Sequence, residues 1–103
     1  MHYVLLAEHT AEVCPTSNAK TRELLLQTAQ DIPNMARNGV TIVAGPLVNR
    51  EHVVVVVVEG DRSEAVDRFL VESRLPQWNR VRILPSLSIE EGMKDVQEST
   101  PLF

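Results

Sequence analysis

"HVVVVVVE", residues 52–59, sets six valines in succession between a histidine and a glutamate. β-branched side chains favour extended backbone, and an apolar run without polar alternation belongs to a strand covered on both faces. The run is far shorter than the roughly 20 apolar residues a membrane-spanning helix needs. It therefore predicts an interior strand over 52–59, which must find a neighbour along each edge and cover on each face.

The neighbours lie to either side in sequence. "NRE", residues 49–51, turns the chain back to "VTIVAGPLV", residues 40–48, a second extended run. Proline cannot donate to a central ladder, so Gly45-Pro46 assigns this run to a sheet edge. At the start of the chain "MHYVLLAE", residues 1–8, sets Tyr3, Leu5 and Ala7 against Val4 and Leu6, apolar on both faces. From about Asn18 the period lengthens. Thr21, Leu25, Ala29, Ile32 and Met35/Ala36 recur at three and four, the face of a helix that Ser17 or Asn18 can cap. Asn38-Gly39 supplies a left-handed stop, and Pro33 kinks this helix or ends its regular part. After the valines, "GDRSE", residues 60–64, turns and caps a second helix through Asp61 or Ser63, with Glu64 three after Asp61. Ala65, Val66, Phe69 and Leu70 form its apolar stripe, and Leu75-Pro76 ends it. "RVRILP", residues 80–85, alternates Arg80 and Arg82 with Val81 and Ile83 as a last strand. "SIEE", residues 88–91, has a capping-box pattern, and Ile89, Met93 and Val96 are spaced for a short terminal helix.

The order β-α-β-β-α-β plus a tail helix is that of an α+β, ferredoxin-like domain. Right-handed crossovers place the third strand between the first and second, for an antiparallel sheet of order 4-1-3-2. The 103 residues make one domain, its core over 1–85 and its terminal helix and tail over 86–103. Both main helices cover one sheet face. The other face, with half of the valine run, calls for a second copy of the chain, and symmetric dimers dominate soluble oligomers.

This arrangement resembles the dimeric α+β barrel superfamily, in which two ferredoxin-like protomers pack sheet against sheet. The resemblance covers Met1 to about Pro85 and rests on element order and burial. More narrowly, "EHTAEVCP", residues 8–15, is similar to small uncharacterised bacterial proteins with a His-Thr-x-Glu-x-Cys-Pro stretch after the first strand. The superfamily includes cofactor-free monooxygenases, lactone isomerases, haem-handling enzymes and stress proteins. None of their catalytic motifs aligns here residue by residue, so no residue role carries over.

Composition narrows the function classes. Net charge is −4 and the arginines are spread from Arg22 to Arg82. The four aromatics are Tyr3, Phe69, Trp78 and Phe103. Nucleic-acid binding calls for a basic stripe with stacking platforms, so no nucleic-acid partner is expected. No membrane partner is expected either. The first residues lack the basic, apolar, small-residue order of a signal peptide, and a single cysteine forms no internal disulfide; the expected location is the cytoplasm. No serine triad, glycine-rich phosphate loop or catalytic carboxylate pair can be assembled.

Topology, rather than local spacing, points to a site. In the 4-1-3-2 sheet the end of the first strand lies beside the start of the third, which brings His9 to His52. Cys14 returns from the loop that follows His9. Glu8, Glu12, Arg50, Glu51, Trp78 and Arg80 belong to the same rim, while His2 sits at the far end of the first strand in a structural role. Each residue also has a plainer reading: His9 as a solvated loop histidine, His52 as a strand start, Cys14 as a small buried hydrophobe, Glu12 and Arg80 as surface charges, Trp78 as packing. Against that reading of Cys14, a helix begins just after it, and a helix N-terminus favours a thiolate.

Three functions fit this set. The first is a transition-metal site of His9, Cys14 and His52 for zinc, copper or iron, with Glu12 as a fourth ligand or as the acceptor that orients His9. The second is a metal-free small-molecule enzyme, monooxygenase- or isomerase-like, in which His9 or His52 moves protons beside Cys14 and the substrate sits in a pocket between sheet and helices. The third is a non-catalytic ligand-binding or stress-response dimer.

Overall fold

The computed structural model describes residues 1–35 and 39–103. In chain order its elements are β1 (His2–Glu8), α1 (Ala19–Thr28), α2 (Ile32–Met35), β2 (Val40–Leu47), β3 (Val53–Gly60), α3 (Ser63–Ser73), β4 (Arg80–Ser86) and α4 (Ile89–Glu98). The four strands form one antiparallel sheet of order β2-β3-β1-β4, which from the β4 edge reads 4-1-3-2. The valine strand is interior, and the proline-bearing strands β2 and β4 are the edges.

Side chains alternate across this sheet as strand geometry requires. Tyr3, Leu5 and Ala7 from β1 and Val54, Val56 and Val58 from β3 are buried. They meet Ala65, Val66, Phe69 and Leu70, the stripe of α3, together with Ile32 and Leu75. Burying each such aliphatic or aromatic side chain is worth about 1.5–3 kcal/mol, so α3 is the element that fastens the helical layer to the sheet. Val4, Leu6, Val53, Val55 and Val57, on the opposite face, are half-buried.

Several local expectations are corrected. Of the two outcomes expected near Pro33, a kink or an end to the regular helix, the second holds, although the end comes earlier. α1 starts where expected, with the Asn18 side chain accepting from the Thr21 N–H at 3.0 Å, but it stops at Thr28 and restarts as α2. In a continuous helix Pro33 would clash with the Ala29 carbonyl and leave it without a donor. As the second residue of a new helix it needs no N–H. Ala36 and Asn38 lie outside the described residues; Gly39 has the left-handed φ of 97° expected of a stop. The cap of α3 also differs. Its N-cap is Arg62, with no side-chain hydrogen bond, because the Asp61 carboxylate instead lies against Gly39. α3 ends with Arg74 in the left-handed region, before Leu75-Pro76. The valine strand begins at Val53, and His52 belongs to the turn before it. α4 is capped by Ser88, which accepts from the Glu91 N–H, but buries none of its residues.

Among the described residues no helix is long and apolar enough to cross a membrane.

Two glycines of opposite character give a stability prediction. Gly45 has φ 87°, and a Cβ there would stand 2.5 Å from the Val55 carbonyl oxygen. Gly92 lies within α4 with nothing within 4 Å of such an atom. Gly45→Ala should lower stability by about 2 kcal/mol or more, and Gly92→Ala should raise it by about 0.5–1 kcal/mol. Urea midpoints of the two variants against wild type measure both effects.

Candidate functional site

β1 runs antiparallel to both of its neighbours, with Glu8 opposite Val53 on β3 and opposite Arg80 on β4. One step further, His9 lies between His52 on one side and Asn79 on the other. The His9 N–H donates to the His52 carbonyl at 3.1 Å, extending the ladder past the end of the strands. The imidazole rings of His9 and His52 meet edge to face with centroids 5.3 Å apart, and the Trp78 ring stands 5.0 Å from that of His9.

The chain then folds back. A 3-10 turn, Ala11–Val13, delivers Cys14, whose carbonyl accepts from the Ser17 and Asn18 N–H groups at 2.9 and 2.8 Å. Ser17 Oγ donates to the Ala11 carbonyl at 2.6 Å, and Asn18 Nδ2 to the Glu12 carbonyl at 3.0 Å. Arg22 reaches back from α1 to the carbonyls of Pro15 and Thr16. A loop so tied to itself presents Cys14 from a fixed position rather than from a floating segment.

One ligand atom from each of His9, Cys14 and His52 lies within 4.8 Å of the others. His9 is set in one tautomer. Asn79 Nδ2 donates to the Leu75 carbonyl at 3.0 Å, which turns Asn79 Oδ1 toward His9 Nδ1 at 2.9 Å. The Nδ1 atom therefore carries the hydrogen, and Nε2 offers its lone pair. That Nε2 is buried and has no hydrogen-bond partner among the described residues. The His52 backbone has φ 61°, a left-handed conformation in which histidine is enriched but which still costs about 1 kcal/mol. Asn49 secures it: its side chain accepts from the N–H groups of Glu51 and Val53 and donates to the Val53 carbonyl.

Cys14 is buried, with its sulfur 3.1 Å from the Thr16 hydroxyl. The Thr16 hydroxyl is the largest influence holding the thiol below its ordinary range, followed by the Thr16 backbone N–H. Burial opposes them, and His52 adds a smaller push in their direction. The direction is the expected one, and its leading cause is a neighbouring threonine.

The cluster opens into a cavity of about 680 Å3. It exists because α1 is a poor packer: Thr21 and Thr28 are its only buried residues. Leu25 and Ala29 consequently stand off from Val53, Val54 and Leu75 across an open space, which Trp78 and Arg50 also line.

The remaining rim residues divide. Glu12 is corrected: it is exposed and outside the ligand group. Its own backbone N–H, and then the Thr10 hydroxyl, hold its carboxyl below the usual range. The part of orienting His9 belongs to Asn79 instead. Glu8, Glu51 and Arg80 are exposed and off the cavity wall. His2 pairs with Glu59 at 2.9 Å at the far end of β1. Asn79, Asn49 and Thr16 were not singled out by sequence reasoning, although the antiparallel pairing that brings His52 to His9 brings Asn79 to it as well.

No protein-family model, curated protein or solved structure matches the chain. The chemistry of the site therefore rests on its own atoms.

The thiol gives a direct measurement. Alkylation of Cys14 by iodoacetamide should reach half its maximal rate at a lower pH than for a free cysteine, because a lowered pKa leaves thiolate present as pH falls. Thr16→Ala removes the largest stabilising contact and should move the profile to higher pH. A profile that Thr16→Ala leaves unchanged would overturn this account of the thiolate.

Proposed function

We propose that this protein is a homodimeric, ferredoxin-like domain that holds a transition metal at His9, Cys14 and His52 and keeps a coordination position open toward the cavity. The observation that carries the reading is a ligand set gathered within 4.8 Å around a buried, unpartnered His9 nitrogen. Tetrahedral bonds of about 2.0–2.3 Å bring ligand atoms to about 3.3–3.6 Å of each other, so small side-chain rotations would close the set. Metal-bound histidines characteristically donate their second ring N–H to a fixed acceptor, the part Asn79 plays for His9. Two imidazoles and a thiolate suit zinc, copper or iron rather than magnesium or calcium. A reducing compartment such as the cytoplasm would keep Cys14 a thiol. A metal-free enzyme is the second reading, favoured by the same hydrogen bond, which leaves the lone pair of His9 Nε2 free to accept a proton next to the cavity.

Calorimetric titration of zinc and of copper separates the two. Wild type should take up one equivalent, with affinity falling as pH falls because protons compete for the same lone pairs. His9→Ala, Cys14→Ser and His52→Gly should each abolish the site; glycine at 52 also relieves the left-handed backbone. Asn79→Ala should weaken uptake by about 10–100-fold, and Asn79→Asp, which keeps the acceptor, should retain it. Wild type binding no more metal than Cys14→Ser would remove the metal reading.

The dimer is supported by the sheet face turned away from α3, where Val4, Leu6, Val55, Val57 and Leu84 lie half-buried in a single chain. Sedimentation should find a wild-type dimer and a folded Val55→Lys monomer. Val56→Lys puts its charge into the core and should instead unfold the chain, at a cost of several kcal/mol. A wild-type monomer would overturn the assembly.

A further inference from the structure

The cavity beside the His/Cys cluster has a chemical character of its own. Its wall is built from Leu25, Ala29, Val54 and Leu75, with the Trp78 ring tilted against that of His9 at 5.0 Å. Few polar groups on that wall are free to meet a ligand. The Asn49 amide is consumed by its own turn, and the Thr16 hydroxyl by Cys14. What remains is the ligand cluster at one end and Arg50 at the mouth. Among the described residues Arg50 is the one permanently charged side chain on the wall, and no carboxylate lines it. An apolar wall holds an apolar body, while polar groups at its ends fix orientation and select charge.

Charge then selects the head group. A divalent ion on two neutral imidazoles and one thiolate keeps a net positive charge. Beside apolar walls that charge acts on whatever enters, and Arg50 adds a second positive group. An anionic donor is favoured on both counts, and a cation is opposed by both. A volume of about 680 Å3 takes a ring-sized body with room to spare, within the range of about 300–1,000 Å3 usual for small-molecule sites.

We infer that the cavity binds an apolar organic anion: a ring-sized hydrocarbon body lodged under α1, with one anionic oxygen or sulfur donor directed at the His9–Cys14–His52 cluster. The inference rests on the metal reading for its donor end and for most of its preference for negative charge, and on the cavity itself for its apolar body and for the positive charge that Arg50 supplies. Two readouts therefore separate the two.

Trp78 is the chain's single tryptophan and lines the cavity, so its emission reports occupancy. Cobalt(II) in the cluster reports coordination through its d–d absorption. The probes are cyclohexylacetate, 2-cyclohexylethanol, 2-cyclohexylethylamine and acetate, each titrated into metal-free and cobalt-loaded protein. Cyclohexylacetate should change Trp78 emission in both forms, bind more tightly with cobalt present and shift the d–d bands. It should bind roughly tenfold or more tightly than acetate, which lacks the apolar body, and more tightly than the alcohol or the amine. Arg50→Gln should weaken the acid and leave the alcohol unchanged. Ala29→Phe, at an exposed helix-end position on the wall, should weaken the acid while leaving cobalt uptake intact. Absence of a Trp78 response, amine binding equal to acid binding, or indifference to Ala29→Phe would each overturn the inference while leaving the metal reading in place. Failure to take up cobalt, with a selective Trp78 response to the acid in metal-free protein, would overturn the metal reading and support the cavity's preference for an apolar anion.

Discussion

The central placing of β1 is the constraint on which the site depends. Because both neighbours run antiparallel to it, the residue just past its end is flanked by the residue before β3 and the residue before β4. His9 is held by a backbone bond to His52 and a side-chain bond to Asn79. Three chain segments distant in sequence thus meet without any of them having to be long. Had β1 paired in parallel with either neighbour, the far end of that strand would have faced His9 instead. The hydrophobic alternation of Tyr3, Leu5 and Ala7 fixes the register, because a slip of one residue would turn every core side chain of the strand to the other face. The core therefore sets the geometry of the site, and two of its residues, Val54 and Leu75, also form part of the cavity wall.

The two main helices divide the labour on the sheet's inner face. α3 brings Phe69, Leu70, Val66 and Ala65 into close packing and supplies the cohesion. α1 brings threonines, and its leucines remain at best half-buried, with Leu26 largely exposed. Better packing there would have filled the space that is now the cavity. An opening next to a cluster of imidazoles and a thiol is a departure from close packing, of the kind expected where binding is selected over stability.

Much of this was legible in the sequence, and what was not has identifiable physical causes. The valine run, the prolines of the edge strands and the α3 stripe specify their elements by burial, a signal spread over many residues. The meeting of His9 with His52 followed from strand pairing alone. Asn79 follows from the same pairing, but a single asparagine in a turn has no periodicity to mark it. The break between α1 and α2 turns on where one proline falls relative to a carbonyl four residues back. The orientation of the Asp61 side chain depends on a contact with a distant residue, Gly39, and the left-handed turn at His52 on a local clamp by the Asn49 side chain that no periodicity marks. Glu12 was assigned to the site by proximity in sequence, and a 3-10 turn directs it to solvent while directing Cys14 inward.

The supports of the cluster are themselves informative. Asn79 fixes the ring of His9, Asn49 secures the strained turn carrying His52, and Thr16 with the self-bonded loop fixes Cys14. Each supporting bond limits a side chain's freedom before any ligand arrives, so little ordering entropy remains to be lost on binding. A buried imidazole nitrogen without a partner works in the opposite direction, since it forgoes the hydrogen bond that water would give it. The fold retains this atom and holds its surroundings in place with three polar side chains, and the described residues supply it no partner. On the proposed reading the missing partner is a metal ion. The lone pair that weakens the unliganded chain is then also what binding relieves, which couples occupancy of the site to the stability of the whole domain.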